Sequence, residues 1–181
     1  MKDLLPVIFT GLGATAVMDL YAWVRRRLFG VALPNYALVG RWIAHLAEGT
    51  IRHASIARAQ PRRFERAIGW TAHYGIGIGF AGILALAAGP DWFRGPTLLP
   101  ALLVGIATVA APFLIMQPAM GAGVAASRTP NPRAARFQSL ATHAVFGLGL
   151  YLAALGYNLA FIQPTMSPST ASLPMSLSRS W

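Results

Sequence analysis

The chain has 181 residues, enough for one domain, of which 55% are hydrophobic and only 11% charged, where a soluble domain carries about 25% charged residues. Fifteen Lys and Arg stand against five Asp and Glu, a net charge of +10, but they gather in loops between apolar runs, which points to a membrane surface and away from nucleic acid. The absence of cysteine excludes disulfides, zinc–cysteine and iron–sulfur sites and thiol catalysis.

Residues 4–24, LLPVIFTGLGATAVMDLYAWV, are apolar except for Asp19, and about 20 such residues span a hydrocarbon core. Ala14-Thr15-Ala16 resembles a leader cleavage site. However, Lys2 and Asp3 cancel ahead of it and the run continues to Arg25-Arg26-Arg27, so the segment reads as a retained spanning helix. Residues 25–66 form a long basic connection. Within it Leu38, Val39, Trp42, Ile43 and Leu46 recur at helical spacing. That pattern suits a helix lying at the membrane surface or one packed on the bundle. Residues 67–89 form a second apolar run, closed by Pro90 and a loop in which Trp92 and Phe93 are placed as interface anchors. The third run, 97–117, carries Pro112, with Pro118 at its end, so a kink is expected there. A basic loop, 127–138, leads to the fourth run, 139–162, and a Ser/Thr/Pro/Met-rich tail at 164–181 has the composition of a disordered segment. The expected fold is all-α: a four-helix integral membrane bundle in a single domain, 1–163, with an amphipathic interfacial helix in the first cytoplasmic loop.

Charge orients the bundle. The 25–66 connection holds nine Arg and two Glu, the 90–96 loop one acid and one base, and the 127–138 loop three Arg and no acid. Because cytoplasmic loops are enriched in Lys and Arg, the first and third loops are expected inside, with the second loop and both termini outside. This is the arrangement of a multi-pass protein of a bacterial inner membrane. Arg25, Arg26, Arg27, Arg62, Arg63 and Arg66 are candidates to hold anionic lipid headgroups.

Ionisable residues within spans are costly and face the bundle interior. Asp19, His73 and His143 are such residues, and each lies six or seven positions from a flanking Arg, about 10 Å deep at the helical rise. Gln117 lies on the same side. Asp19 follows Gly11 and Thr15 at i, i+4, i+8; His73 sits between Gly69 and Gly77, and His143 between Ser139 and Gly147. Small residues let helices approach closely, so Gly11, Gly75, Gly79, Gly147 and Gly149 are packing candidates, and Asp19, His73 and His143 are expected to converge. Three roles are open for them: a hydrogen-bonded staple, a transport or proton-relay site, and a ligand or metal site. No metal or cofactor is specified. Gly75-Ile76-Gly77-Ile78-Gly79 lies inside an apolar span with no strand before it, which disqualifies it as a nucleotide loop. No GxSxG, HExxH or GxxxxGK[ST] pattern is present, so no enzyme class is indicated. Tyr74, Tyr151 and Tyr157 read as packing or interface residues.

The stretches GLGATAVMDL (11–20), NYALVGRWIAH (35–45), TLLPALLVG (97–105), APFLIMQPAMGAGVAASRTPNP (111–132) and THAVFGLGLYLAA (142–154) resemble the bacterial "domain of unknown function 2938" family over roughly residues 4–160. The resemblance implies a bacterial inner-membrane protein of about four helices and no particular activity. Two function classes follow: a small transporter or ion- or proton-linked protein using the polar intramembrane residues, and a non-catalytic subunit that forms homo-oligomers, packs in a larger membrane complex or binds lipid.

Overall fold

The computed structural model describes residues 4–162, which are mostly helical, with no strand among them. Helix α1 is Leu4–Phe29, α2 Tyr36–Ala47 and α3 Glu65–Ala88, followed by α4 Leu98–Ala107, the single turn α5 Gln117–Met120 and α6 Pro132–Tyr157. Four segments are long and apolar enough to cross a membrane: α1, α3, the composite Leu98–Met120, and Pro132–Ile162. The tail expected from residue 164 onward lies outside the described residues.

The helix ends follow local chemistry. Helix α1 runs past the apolar stretch into its arginines, which sit in the last turn, where cations meet the negative end of the helix dipole. Helix α3 stops at Gly89, φ 82°, ahead of Pro90. Helix α6 begins well before its apolar run because Asn131 caps it, its side chain accepting from Ala134 N at 3.1 Å, with Pro132 at the first helical position.

The third span breaks as the prolines predict, though not as a simple kink. Helix α4 ends at Ala107, a turn follows, and residues Pro112–Met116 form a π-helical turn in which Gln117 N donates to Pro112 O. Pro112 has no N–H to continue the α-helical ladder, so the backbone re-pairs over a wider spacing. The first half of the span packs on α6 and α3, whereas the second half packs mainly on its own turns and the loop beyond.

Helix α1 lies between α3 and α6. The buried core is small-sided: Ala14, Ala81, Ala101 and Ala154 carry almost no exposure, and Leu84, Phe146 and Leu150 fill the gaps. Large apolar side chains point outward, Leu86 being 88% exposed. That inversion suits a surround of lipid tails, where close backbone packing holds helices together. Helix α2 takes the packed setting: a side chain at Gly40 would overlap the Glu65 carbonyl, and one at Gly69 the Tyr36 carbonyl.

The first loop meets the end of the third span, where His53 N donates to Ala119 O of α5 at 2.8 Å. The second loop closes the other end. There Trp92 and Phe93 correct their expected placement as interface anchors. They are buried, 7% and 3% exposed, with Trp92 Nε1 donating to Thr97 Oγ1. Asn158 Nδ2 donates to the Phe93 and Arg94 carbonyls, which pins the loop over the core.

Candidate functional site

Asp19 sits on α1 facing α3 and α2. Its Oδ1 accepts from His73 Nε2 at 3.0 Å and Tyr36 hydroxyl at 3.2 Å, and its Oδ2 from Tyr74 hydroxyl at 3.0 Å. His73 stacks on Tyr36 with ring centroids 4.0 Å apart, and Trp70 closes edge-on against both. Burial first, and the Asp19 carboxylate second, hold the Tyr36 hydroxyl well above the ordinary phenol range, so Tyr36 is a standing donor. Three donors from two helices leave the carboxylate well satisfied. The nearby Thr15 hydroxyl donates to Gly11 O at 2.8 Å.

His143 makes its bond elsewhere. Its Nδ1 lies 2.9 Å from Thr108 Oγ1, and that hydroxyl lies 2.5 Å from Gly105 O. The threonine has one proton, so it either donates to Gly105 O and accepts from a protonated Nδ1 or donates to Nδ1 itself. His73 and His143 nevertheless line one cavity of about 560 Å³, walled by α1, α2, α3, α6 and the broken half of the third span. Gln117 lines it too, and its Oε1 is buried with no hydrogen-bond partner among the described residues. The π-helical turn of the third span supplies Pro112, Ile115 and Met116 to the cavity wall.

Of the glycines expected to pack helices, Gly11 meets Gly77 and Ile78 of α3, Gly147 meets Ala101, Leu102 and Gly105, and Gly149 meets Ala14. Gly75 and Gly79 meet no neighbour among the described residues: a methyl added at either finds nothing within 4 Å. Their places are taken by Gly69 and Gly77, four residues to either side of His73. Among the headgroup candidates, Arg26, Arg27, Arg63 and Arg66 are exposed. Arg25 lies 5.4 Å from the Tyr21 ring centroid. Arg62 is engaged, its guanidinium on Glu48 and 3.4 Å from His45 Nδ1. Arg41 was given no role by the sequence, yet it forks onto Glu65 at 2.8 and 2.9 Å and reaches the Ile56, Ala57 and Ala59 carbonyls, tying the connection to α2 and α3.

Tyr36, Tyr74 and Thr108 are the site residues that sequence reasoning missed. Tyr74 had a signal, since it follows His73 directly and a phenol can reach where its own helical position does not point. Tyr36 and Thr108 had none, because their roles depend on where α2 and the broken span come to rest. Among the described residues no group of three or more His, Asp or Glu is placed to hold a metal ion. Comparison with curated proteins and with solved structures gave no match. Residues 8–157, which hold every site residue described above and all but the outer ends of the first and last spans, match the family pattern described as "Protein of unknown function (DUF2938)", and the chain belongs to that family.

Proposed function

We propose that this is a small multi-pass protein of the bacterial inner membrane that binds a small, largely apolar molecule in its intramembrane cavity, as the first step of moving it. The observation that carries the reading is the cavity itself. Its volume of about 560 Å³ falls within the range of small-molecule sites, and it combines apolar walls with a few convergent polar groups, as such sites do. A spanning helix carrying a π-helical turn, Pro112–Met116, forms one wall, and such turns recur at functional sites. The Asp19–His73–Tyr36–Tyr74 cluster then serves as the staple that fixes α1, α2 and α3 around the site, not as the site's reacting group.

The basic end, which carries exposed Arg26, Arg27, Arg52, Arg58, Arg63, Arg66, Arg128, Arg133 and Arg136, is the cytoplasmic side on this reading, and its free arginines contact anionic headgroups. Native mass spectrometry of the protein released gently from its membrane tests the binding. A discrete added mass is expected on the wild-type chain and absent from Ser139→Phe, which fills the cavity from α6. A bare wild-type mass, or the same adduct on the filled variant, would refute the reading.

A further inference from the structure

We infer that the cavity and an adjoining recess at Arg25 together bind an anionic amphiphile: an alkyl chain in the cavity, with its acidic head on the Arg25 guanidinium. This rests on the binding reading above and adds the chemical class of the occupant.

The two spaces adjoin. The recess, of about 30 Å³, is lined by Tyr21, Ala22 and Arg25 of α1 and by the connection beyond, and it shares Met18, Pro34, Tyr36, Gln138 and Thr142 with the cavity. By the usual measure that is room for about two water-sized atoms, such as the oxygens of an acid. Thr15 and Met18 in the cavity wall and Ala22 and Arg25 in the recess follow one another at i, i+3, i+7 and i+10, along one face of α1. Together they cover about 15 Å at the helical rise. Arg25 directly follows the apolar run 4–24, so it stands at the edge of the hydrocarbon, whereas the cavity runs inward along α1 to Thr15. An occupant with its head at Arg25 and its chain in the cavity is therefore oriented as a bilayer lipid is.

Charge selects the head. Among the described residues three arginines are half-buried: Arg25, Arg41 and Arg62. Arg41 closes on Glu65 and Arg62 on Glu48. Arg25 has the face of the Tyr21 ring at 5.4 Å and, among the described residues, neither an acid nor a hydrogen-bond partner. No Asp or Glu lines either space, and Asp19 is held by its own three donors. A guanidinium offers paired N–H groups that match a carboxylate or phosphate. Gln138, which lines both spaces, adds a neutral amide with no side-chain partner among the described residues. An ammonium head would instead face a like charge. The same chemistry is offered by a free long-chain acid and by an anionic phospholipid of the bilayer.

The test is a titration of the full-length protein in detergent with three probes of one chain length: laurate, dodecanol and dodecyltrimethylammonium. Each affinity is referred to the probe's concentration in the micelle. Binding is followed by tryptophan fluorescence, with Trp42→Phe as the control for the tryptophan in the cavity wall. Laurate is expected to bind saturably and at least about tenfold more tightly than dodecanol, the value of a hydrogen bond to a charged group, and the ammonium most weakly. Arg25→Gln should bring laurate down to the level of dodecanol and leave dodecanol unchanged, which also shows that the variant is folded. Arg26→Gln, one position along and exposed, should change neither. The ranking on the wild-type chain stands without any variant, so a poorly folded Arg25→Gln does not rescue the proposal. Displacement of laurate by phosphatidylglycerol assigns the chemistry to a membrane lipid; saturable laurate binding without that displacement assigns it to a free acid. Equal binding of laurate and dodecanol, tighter binding of the ammonium, or the same loss in Arg26→Gln as in Arg25→Gln overturns the inference while leaving the cavity a binding site. No saturable binding of any probe, with the same response from Ser139→Phe, overturns the binding reading itself.

Discussion

Asp19 joins α1 to both α2 and α3 through three hydrogen bonds, and removing it strands three donors at once. Asp19→Ala is expected to cost about 2 kcal/mol or more, and Tyr74→Phe, which deletes one bond, about 0.6–1 kcal/mol, the usual scale of such a bond inside a membrane protein. Thermal unfolding in detergent measures both, and equal losses would mean that Tyr74 carries the cluster. Tyr36 adds a pH dependence with a definite sign. Its folded-state value is raised, so above the ordinary phenol value of 10.0 the unfolded chain releases a proton that the folded chain keeps. Stability therefore falls as pH rises beyond that point, and Tyr36→Phe should flatten part of the fall. Asp19 and His73 were legible in the sequence because a charge or imidazole in an apolar run must find an interior partner, and counting from the flanking arginines put both at one depth. The same count placed His143 at that level but could not tell that Thr108 would claim it. That depended on where the third span breaks.

At the scale of elements, the apolar runs marked all four spanning helices, since length and composition alone decide whether a helix can cross. Their ends were less legible because arginine-rich and capped segments extend α1 and α6 beyond the apolar stretch. Helix α2 could be read only as amphipathic; its contact with α3 depends on Gly40 and Gly69 meeting, a tertiary match that periodicity does not encode. Arg41 secures that contact with a two-pronged bond to Glu65 and three carbonyls. A lysine cannot reproduce the fork, so Arg41→Lys is expected to cost about 1–3 kcal/mol and to speed limited proteolysis within residues 51–60. Unchanged cleavage would show that α2 is held by its glycines alone. The break at Pro112 makes a prediction of the opposite kind. Pro112→Ala restores an N–H at 112 and favours a continuous α-helix, which should draw the second half of the span toward α1 and α3. The adduct seen by native mass spectrometry should then weaken or disappear while thermal stability holds or rises.

Over the whole molecule, the bundle sorts its charge by end. The first and third loops share one end with most of the arginines, and the other end carries an exposed Arg94–Asp91 pair at 3.0 Å. The chain contains no cysteine, so single cysteines report topology cleanly. In intact cells Arg94→Cys should react with a membrane-impermeant maleimide and Arg58→Cys should not, and the reverse pattern would invert the orientation. The cavity could not be foreseen from the sequence, because an empty volume follows from how four spans and α2 fail to close, not from any one motif. The most direct test of its role is an experimental structure of the full-length protein in a lipid nanodisc. The account predicts density in the cavity, lying along its apolar wall between α1, α3, α6 and the second half of the third span. A third span packed against α1 and α3, with no cavity and Gln117 bonded within the protein, would contradict it.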